Sequence, residues 1–168
     1  REAKLYDKDR LHTVQAGEKV NIGPFEVEFF HVSHSIPDAV GLGITTPVGL
    51  VVHSGDFKLD QTPVDDWPTD FAKLGEFASR GVLALLSDST NADQPGWTRS
   101  EAIIDGAFDQ VFRGADGRVL VATFASLISR IQQVINASQR NGRRVALVGT
   151  SMVVNSKLAL KLGYLKDP

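Results

Sequence analysis

The sequence predicts an α/β fold, and three observations predict it. The first half consists of short apolar or alternating runs separated by glycine and proline turns, the pattern of β-strands. The second half alternates strand-like apolar runs with helix-period segments, the pattern of a parallel sheet with crossover helices. Of the 168 residues, 42% are hydrophobic and 23% charged, an ordinary globular balance. There is no cysteine, which excludes a disulfide framework, a thiolate-bound zinc and a thiol nucleophile. The most apolar stretch, residues 40–52, is broken by Gly41, Gly43, Thr45, Thr46, Pro47 and Gly49. No membrane span or signal peptide is therefore expected, and a cytoplasmic protein is the simplest expectation.

Residues 19–22 form the first expected strand, Gly23 and Pro24 a turn, and residues 25–32 a second strand in which Glu26 and Glu28 alternate with apolar neighbours. Residues 40–46 and 49–53 flank Pro47 and Val48 as a hairpin that ends at the turn Ser54-Gly55-Asp56. Residues 70–80 read as a helix with Phe71, Leu74, Phe77 and Ala78 on one face and Gly81 closing it. Residues 82–86 are a fully apolar strand running into Ser87-Asp88-Ser89-Thr90. A polar loop, residues 91–96, then leads to Thr98, and Glu101 three residues later predicts a capping box for a helix burying Ile103, Ile104, Ala107, Phe108 and Val111. Beyond it the pattern predicts a strand over 119–124, a helix over about 126–141, a strand over 145–148 and a helix over about 151–162. Ligands of parallel sheets sit beyond the strand C-termini. Ser126 and Ser151 therefore fall at strand-to-helix junctions, where helix N-terminal amides favour anions.

The net charge of −2 hides a split. Residues 1–110 hold 9 Lys/Arg against 18 Asp/Glu, whereas residues 111–168 hold 9 against 2. An acidic half suits divalent metal and a basic half suits phosphate or nucleic acid, although two solvated faces give the same split.

Three segments carry residues suited to chemistry. His31 and His34 stand at a strand end, where a neutral imidazole is a good ligand for a borderline metal. Asp56 follows a strand and a glycine, so its carboxylate projects from a tight turn, and two carboxylate oxygens suit it to bridging two metals. Asp88 again lies at a strand C-terminus. Singly, each has an ordinary structural explanation as a core histidine or a turn former.

Taken together, SHSIPDA (33–39), HSGDFKLDQTPVD (53–65), LLSDSTNA (85–92), ATFAS (122–126), GTSM (149–152) and LGYL (162–165) resemble the ribonuclease J family, in the β-CASP group of the metallo-β-lactamase superfamily. The resemblance runs over nearly the whole chain in the family's order. It implies the latter part of a metallo-β-lactamase αββα lobe over residues 1–95, followed by the start of a Rossmann-like parallel-sheet β-CASP domain over 96–168. His34 then matches a zinc ligand and Asp56 the aspartate that bridges two zincs. Asp88 matches an acid that orients a downstream histidine. Ser126, and more weakly Ser151, match the surroundings of the pocket for the RNA 5′ nucleotide. His31 and His53 match no ligand motif and are expected to be structural. Arg130, Arg140, Arg143, Arg144, Lys157 and Lys161 are the candidates for an RNA path, each with a solvated helix face as the plainer alternative.

The resemblance further implies zinc-dependent hydrolysis of RNA phosphodiesters, endonucleolytic and 5′→3′ exonucleolytic, in mRNA decay and rRNA processing. It implies 5′-monophosphorylated RNA as the preferred partner and a homo-oligomeric parent. The family's His-x-His-x-Asp-His motif is absent and no histidine follows His53. Leu127 stands where the family has Asn, and Thr150 where it has Arg. The chain also opens at Arg1 without Met, so it is expected to be a piece of a longer protein, inactive alone, with exposed apolar sheet edges and at most one weakly bound zinc. Two other readings stay open: a metal-free paralogue acting as an RNA-binding module, and another metallo-β-lactamase hydrolase acting on a small ester. LLSDSTNA and ATFAS argue against the last.

Overall fold

The computed structural model describes residues 11–166, which fall into two compact units interleaved along the chain. The first comprises the stretches up to His31, Val40–Asp56 and Asp70–Asp88; the second comprises Val32–Ala39, Phe57–Thr69 and the stretch from Ser89 onward.

The first unit is a five-stranded sheet with one helix. Strands β1 (Lys19–Ile22), β2 (Phe25–His31), β3 (Val40–Thr46) and β4 (Gly49–His53) run as an antiparallel meander in sequence order. Helix α1 (Phe71–Arg80) then returns the chain so that β5 (Val82–Leu86) pairs parallel to β4, with a register irregularity at Leu50/Val51. Asp70 starts α1, its Oδ1 accepting from the Lys73 N–H at 2.9 Å, and Gly81 ends it at φ 81°.

The face that meets α1 is set by alternation. Glu28 and Phe30 on β2 lie opposite Gly43 and Gly41 on β3, and the missing side chains leave space for two rings. A Cβ on Gly41 would stand 2.3 Å from Phe30 Cζ, and one on Gly43 would stand 2.3 Å from Phe77 Cζ. The two phenylalanines meet edge to face with centroids 5.7 Å apart. Beside them Glu28, only 1% exposed, receives Lys19 at 2.9 Å, Lys73 at 2.8 Å and the Arg80 guanidinium. Lys73 and Arg80 also lie over the Phe77 ring, 5.1 and 5.5 Å from its centroid. Burial pushes the Glu28 carboxyl upward, but hydrogen bonds from Lys73, Arg80 and Lys19 outweigh it and bring the pKa from 4.5 down to about 2.

β5 has only β4 as a neighbour, and every one of its residues is exposed, Leu83 and Leu85 by 61% and 64%. The fully apolar run is an open edge among the described residues, in keeping with the exposed apolar sheet edges expected of this chain.

The second unit is helical among the described residues. A 3-10 turn (Glu101–Ile103) leads into α2 (Ile104–Gly114), followed by α3 (Ile128–Arg140) and α4 (Thr150–Leu162). Ile128, Ile131, Ile135, Ala159 and Leu165 form its core, with Leu147 and Met152 against it. The capping box expected at Thr98 is not what starts this helix. Ser100 caps the turn by accepting from the Ala102 N–H at 3.2 Å, and the Glu101 side chain goes to two cations instead of back to the chain. The parallel sheet expected in this half is also absent among the described residues. Residues 119–124 and 145–148 are not strands, and no backbone hydrogen bond joins them. Residues 119–123 and 145–148 line one cleft of about 790 Å³ together with Phe112, Ile131, Val134 and Met152. A ladder needs backbones about 4.8 Å apart, and here the intervening space is open.

Acid unfolding tests the buried carboxylate. Because the folded pKa of Glu28 is depressed, its contribution is present above pH 4.5 and is lost as pH falls toward 2. At about 1.4 kcal/mol per unit, that is on the order of 3 kcal/mol. Urea unfolding against pH should show this slope, and Glu28→Gln should flatten it and lower stability at neutral pH. The ring-over-glycine contact predicts that Gly43→Ala costs about 1–3 kcal/mol, and that the same change costs much less in a Phe77→Leu background.

Candidate functional site

The C-terminal ends of parallel strands are where such sheets expose functional groups, and β4 and β5 are the parallel pair. Ser54 ties their ends together. Its N–H donates to the Leu86 carbonyl at 2.9 Å, and its Oγ accepts from the Asp88 N–H at 2.8 Å. Its own hydroxyl proton goes to the Gly55 carbonyl at 2.7 Å. The turn carrying Asp56 and the turn carrying Asp88 are thereby fixed to one another within the first unit. Gly55 is required in that turn: it sits at φ 64°, and a Cβ there would be 2.6 Å from the Val40 carbonyl oxygen. His53 shapes the same turn, its Nδ1 accepting from the Gly55 N–H at 2.9 Å. The structural role expected for His53 is thus found. His31 is 4% exposed at the end of β2, and its carbonyl accepts from the Asp70 N–H at 3.0 Å.

Asp56 is exposed and Asp88 half-buried, so both carboxylates have access to solvent. His34 belongs to the second unit, half-buried, with Nε2 3.2 Å from the Ser35 hydroxyl. Among the described residues no three His, Cys, Asp or Glu side chains are grouped as a metal site. His34 and Asp56 therefore do not by themselves make a zinc centre, which takes three or four protein ligands.

Ser126 is exposed in the turn before α3, whose N-cap is Leu127, and Ser151 is exposed in the first turn of α4, whose N-cap is Gly149. No side chain caps either helix, consistent with Leu127 standing at the α3 cap position.

The structure reveals an ionic cluster that the sequence reading did not find. Asp60, 4% exposed, accepts from the Thr62 N–H at 3.0 Å and the Glu101 N–H at 3.1 Å, and so supplies negative charge at the start of the α2 segment. Burial acts to raise its pKa, but the Ser100 hydroxyl and these two amides outweigh it and hold the carboxyl low. Glu101 in turn receives Lys58 Nζ at 3.1 Å and the Arg130 guanidinium, while its carbonyl accepts from Gln133 at 2.9 Å. Burial raises the Glu101 carboxyl and those two cations more than reverse it. Lys58 and Asp60 stand in the quoted GDFKLD motif, but nothing in that motif points to Glu101, 43 residues away from Lys58.

Three of the basic residues considered for an RNA path have internal partners. Arg130 pairs with Glu101, and Arg140 grips Asp109 through Nε at 3.2 Å and Nη2 at 3.0 Å. Arg143 donates to the carbonyls of Phe112 at 2.9 Å, Gly117 at 2.8 Å and Ala115, closing the end of α2. Arg144, Lys157 and Lys161 are exposed.

Comparison with known proteins finds likeness to one family. Residues 116–168 match the model described as "Ribonuclease J, beta-CASP domain". The Ribonuclease J of Synechocystis is 47% identical over 99% of this chain and 26% of its own length. That of Thermus thermophilus is 47% identical over 93% of this chain and 27% of its own, and that of Mycobacterium tuberculosis 46% over 91% and 27%. This stretch of chain is similar to part of a Ribonuclease J. It spans about a quarter of the length of these relatives. A crystal structure of a protein of unknown function from Enterococcus faecalis V583 matches 76% of this chain and 31% of its own, with a TM-score of 0.58 at 15% identity, a likeness of fold alone.

The cluster around Glu101 predicts strong coupling. Glu101→Ala and Arg130→Met should each lower stability by about 2 kcal/mol, and the double variant should lose clearly less than the sum, a coupling of about 1 kcal/mol in a urea-unfolding cycle.

Proposed function

We propose that the full-length protein carrying this chain is a ribonuclease that hydrolyses RNA phosphodiesters. The observation that carries the reading is 47% identity to a Ribonuclease J across 99% of the chain, in a stretch that includes the turns of His34, Asp56 and Asp88. In this reading residues 1–95 are part of a metallo-β-lactamase domain and 96–168 part of a β-CASP domain. The activity is endonucleolytic and 5′→3′ exonucleolytic, in mRNA decay and rRNA processing, in the cytoplasm and as a homo-oligomer. The protein depends on two zinc ions, for which His34 and Asp56 are the donors in this chain and the remaining ligands come from elsewhere in the full-length protein. Asp88 is an orienting acid rather than a ligand, a role compatible with its backbone being anchored to Ser54. Ser126 and Ser151 lie where helix N-terminal amides favour a 5′-phosphate. The chain alone is inactive, because the donors among its described residues do not complete a zinc centre.

Cleavage of 5′-monophosphorylated and 5′-triphosphorylated RNA by the full-length protein tests this reading. The expected result is chelator-sensitive hydrolysis favouring the monophosphate, reduced at least about a hundredfold by His34→Ala or Asp56→Ala. Tight RNA binding that ignores chelators, with no cleavage, would instead identify a metal-free RNA-binding paralogue. Cleavage of a small ester but not of RNA would identify a different hydrolase.

A further inference from the structure

The strap formed by Phe57–Thr69 has no part in the reading above, yet it grips the residue before His34 from both sides. Ser33 is 7% exposed and lies outside any strand or helix. Its N–H donates to the Thr69 hydroxyl oxygen at 3.0 Å, and its carbonyl accepts from the Lys58 N–H at 2.7 Å. Both backbone groups of a buried loop residue are thus satisfied by the two ends of one strap.

Each end of the strap is itself fixed. Thr69 is 4% exposed. Lys58 is anchored through its ammonium to Glu101, 3.1 Å away, and Glu101 is held by Arg130. The loop that carries His34 is closed by the Val32 N–H on the Ala39 carbonyl at 3.0 Å, and the Tyr164 hydroxyl bonds to Asp38 at its far end. The backbone leading into His34 therefore has little freedom, and the Thr69 hydroxyl holds it directly.

We infer that Thr69 is a positioning residue for His34, acting through the Ser33 amide. A side chain that must meet a reactive geometry loses rate steeply when it is displaced, even by a change remote from the chemistry. The inference rests on His34 being functional in RNA hydrolysis.

The test uses the full-length protein, with steady-state RNA cleavage and peptide-level amide exchange. Thr69→Val keeps the shape and removes the acceptor. It should speed exchange in the peptide containing Ser33 and lower kcat about tenfold or more while KM stays within about twofold, and Thr69→Ser should restore both. Lys58→Met, which releases the other end of the strap from Glu101, should shift exchange and kcat in the same direction by less. It decides the matter if Thr69→Val does not fold. Wild-type kcat and exchange in folded Thr69→Val, or in Lys58→Met where it must stand in, overturn the inference, as does a loss that Thr69→Ser fails to restore. His34→Ala separates the two levels. An inactive His34→Ala beside a fully active Thr69→Val removes the positioning role alone, whereas a fully active His34→Ala removes the reading of the site and the inference with it.

Discussion

The first unit depends on a carboxylate buried where a hydrophobic residue would be the simpler choice. Glu28 lies on the sheet face that meets α1, almost wholly out of water, and three cations converge on it. Desolvation of such a group is costly, so the charge is tolerable only because Lys73 and Arg80 come from one helix and Lys19 from the neighbouring strand. That requirement fixes the helix. Lys73 and Arg80 are seven residues apart, two turns of α1, with Phe77 between them. The ring must then descend onto the sheet, and it does so where Gly43 leaves room. Ion pairing thus sets the register of the helix, while the glycines set how close it approaches.

The second unit repeats the device with the polarity of its roles rearranged. Glu101 is the carboxylate, Lys58 and Arg130 the cations, and the elements joined are the strap, the start of α2, and α3. Asp60 adds a charge that serves the helix start through the Glu101 amide. In both units a carboxylate pinned by cations from distant segments works beside the apolar core. Such pairing is directional, so it specifies which segments meet more sharply than apolar burial would. Loops that carry candidate functional groups benefit most, since they have few apolar contacts of their own.

Much of this was legible in the sequence where the signal is local. Strand limits at 19–22, 40–46, 49–53 and 82–86 follow from alternation and glycine or proline turns, and Asp70 and Gly81 mark α1 at both ends. The candidate residues on the turns after β4 and β5 were legible for the same reason: each ends an apolar run. What was not legible depends on partners far away in sequence. An acid three residues after Thr98 looks like a capping box, and only the nearness of Lys58 and Arg130 explains why Glu101 turns elsewhere. Ser54 and Thr69 look like ordinary loop hydroxyls, yet each holds an amide 34 or 36 residues away. Residues 119–124 and 145–148 have the composition of strands, but a strand exists only with a neighbour to pair with, and composition cannot supply one.

The same distinction applies to charge. The excess of basic residues after residue 110 invites an electrostatic reading in which all of them face a polyanion. The structure divides them. Arg130 and Arg140 neutralise carboxylates, and Arg143 spends its guanidinium on three carbonyls at the end of α2. A guanidinium with five donors in a fixed fork suits such internal bracing, whereas an exposed ammonium keeps its charge in solvent. Arg140 is exposed too but paired with Asp109, whereas Arg144, Lys157 and Lys161 are exposed, the last two sharing one helix, α4, four residues apart on the same side. Net charge in this half therefore overstates what it can offer to phosphates. The position of each cation, and the carboxylate or carbonyl already beside it, decides what is left for a nucleic acid.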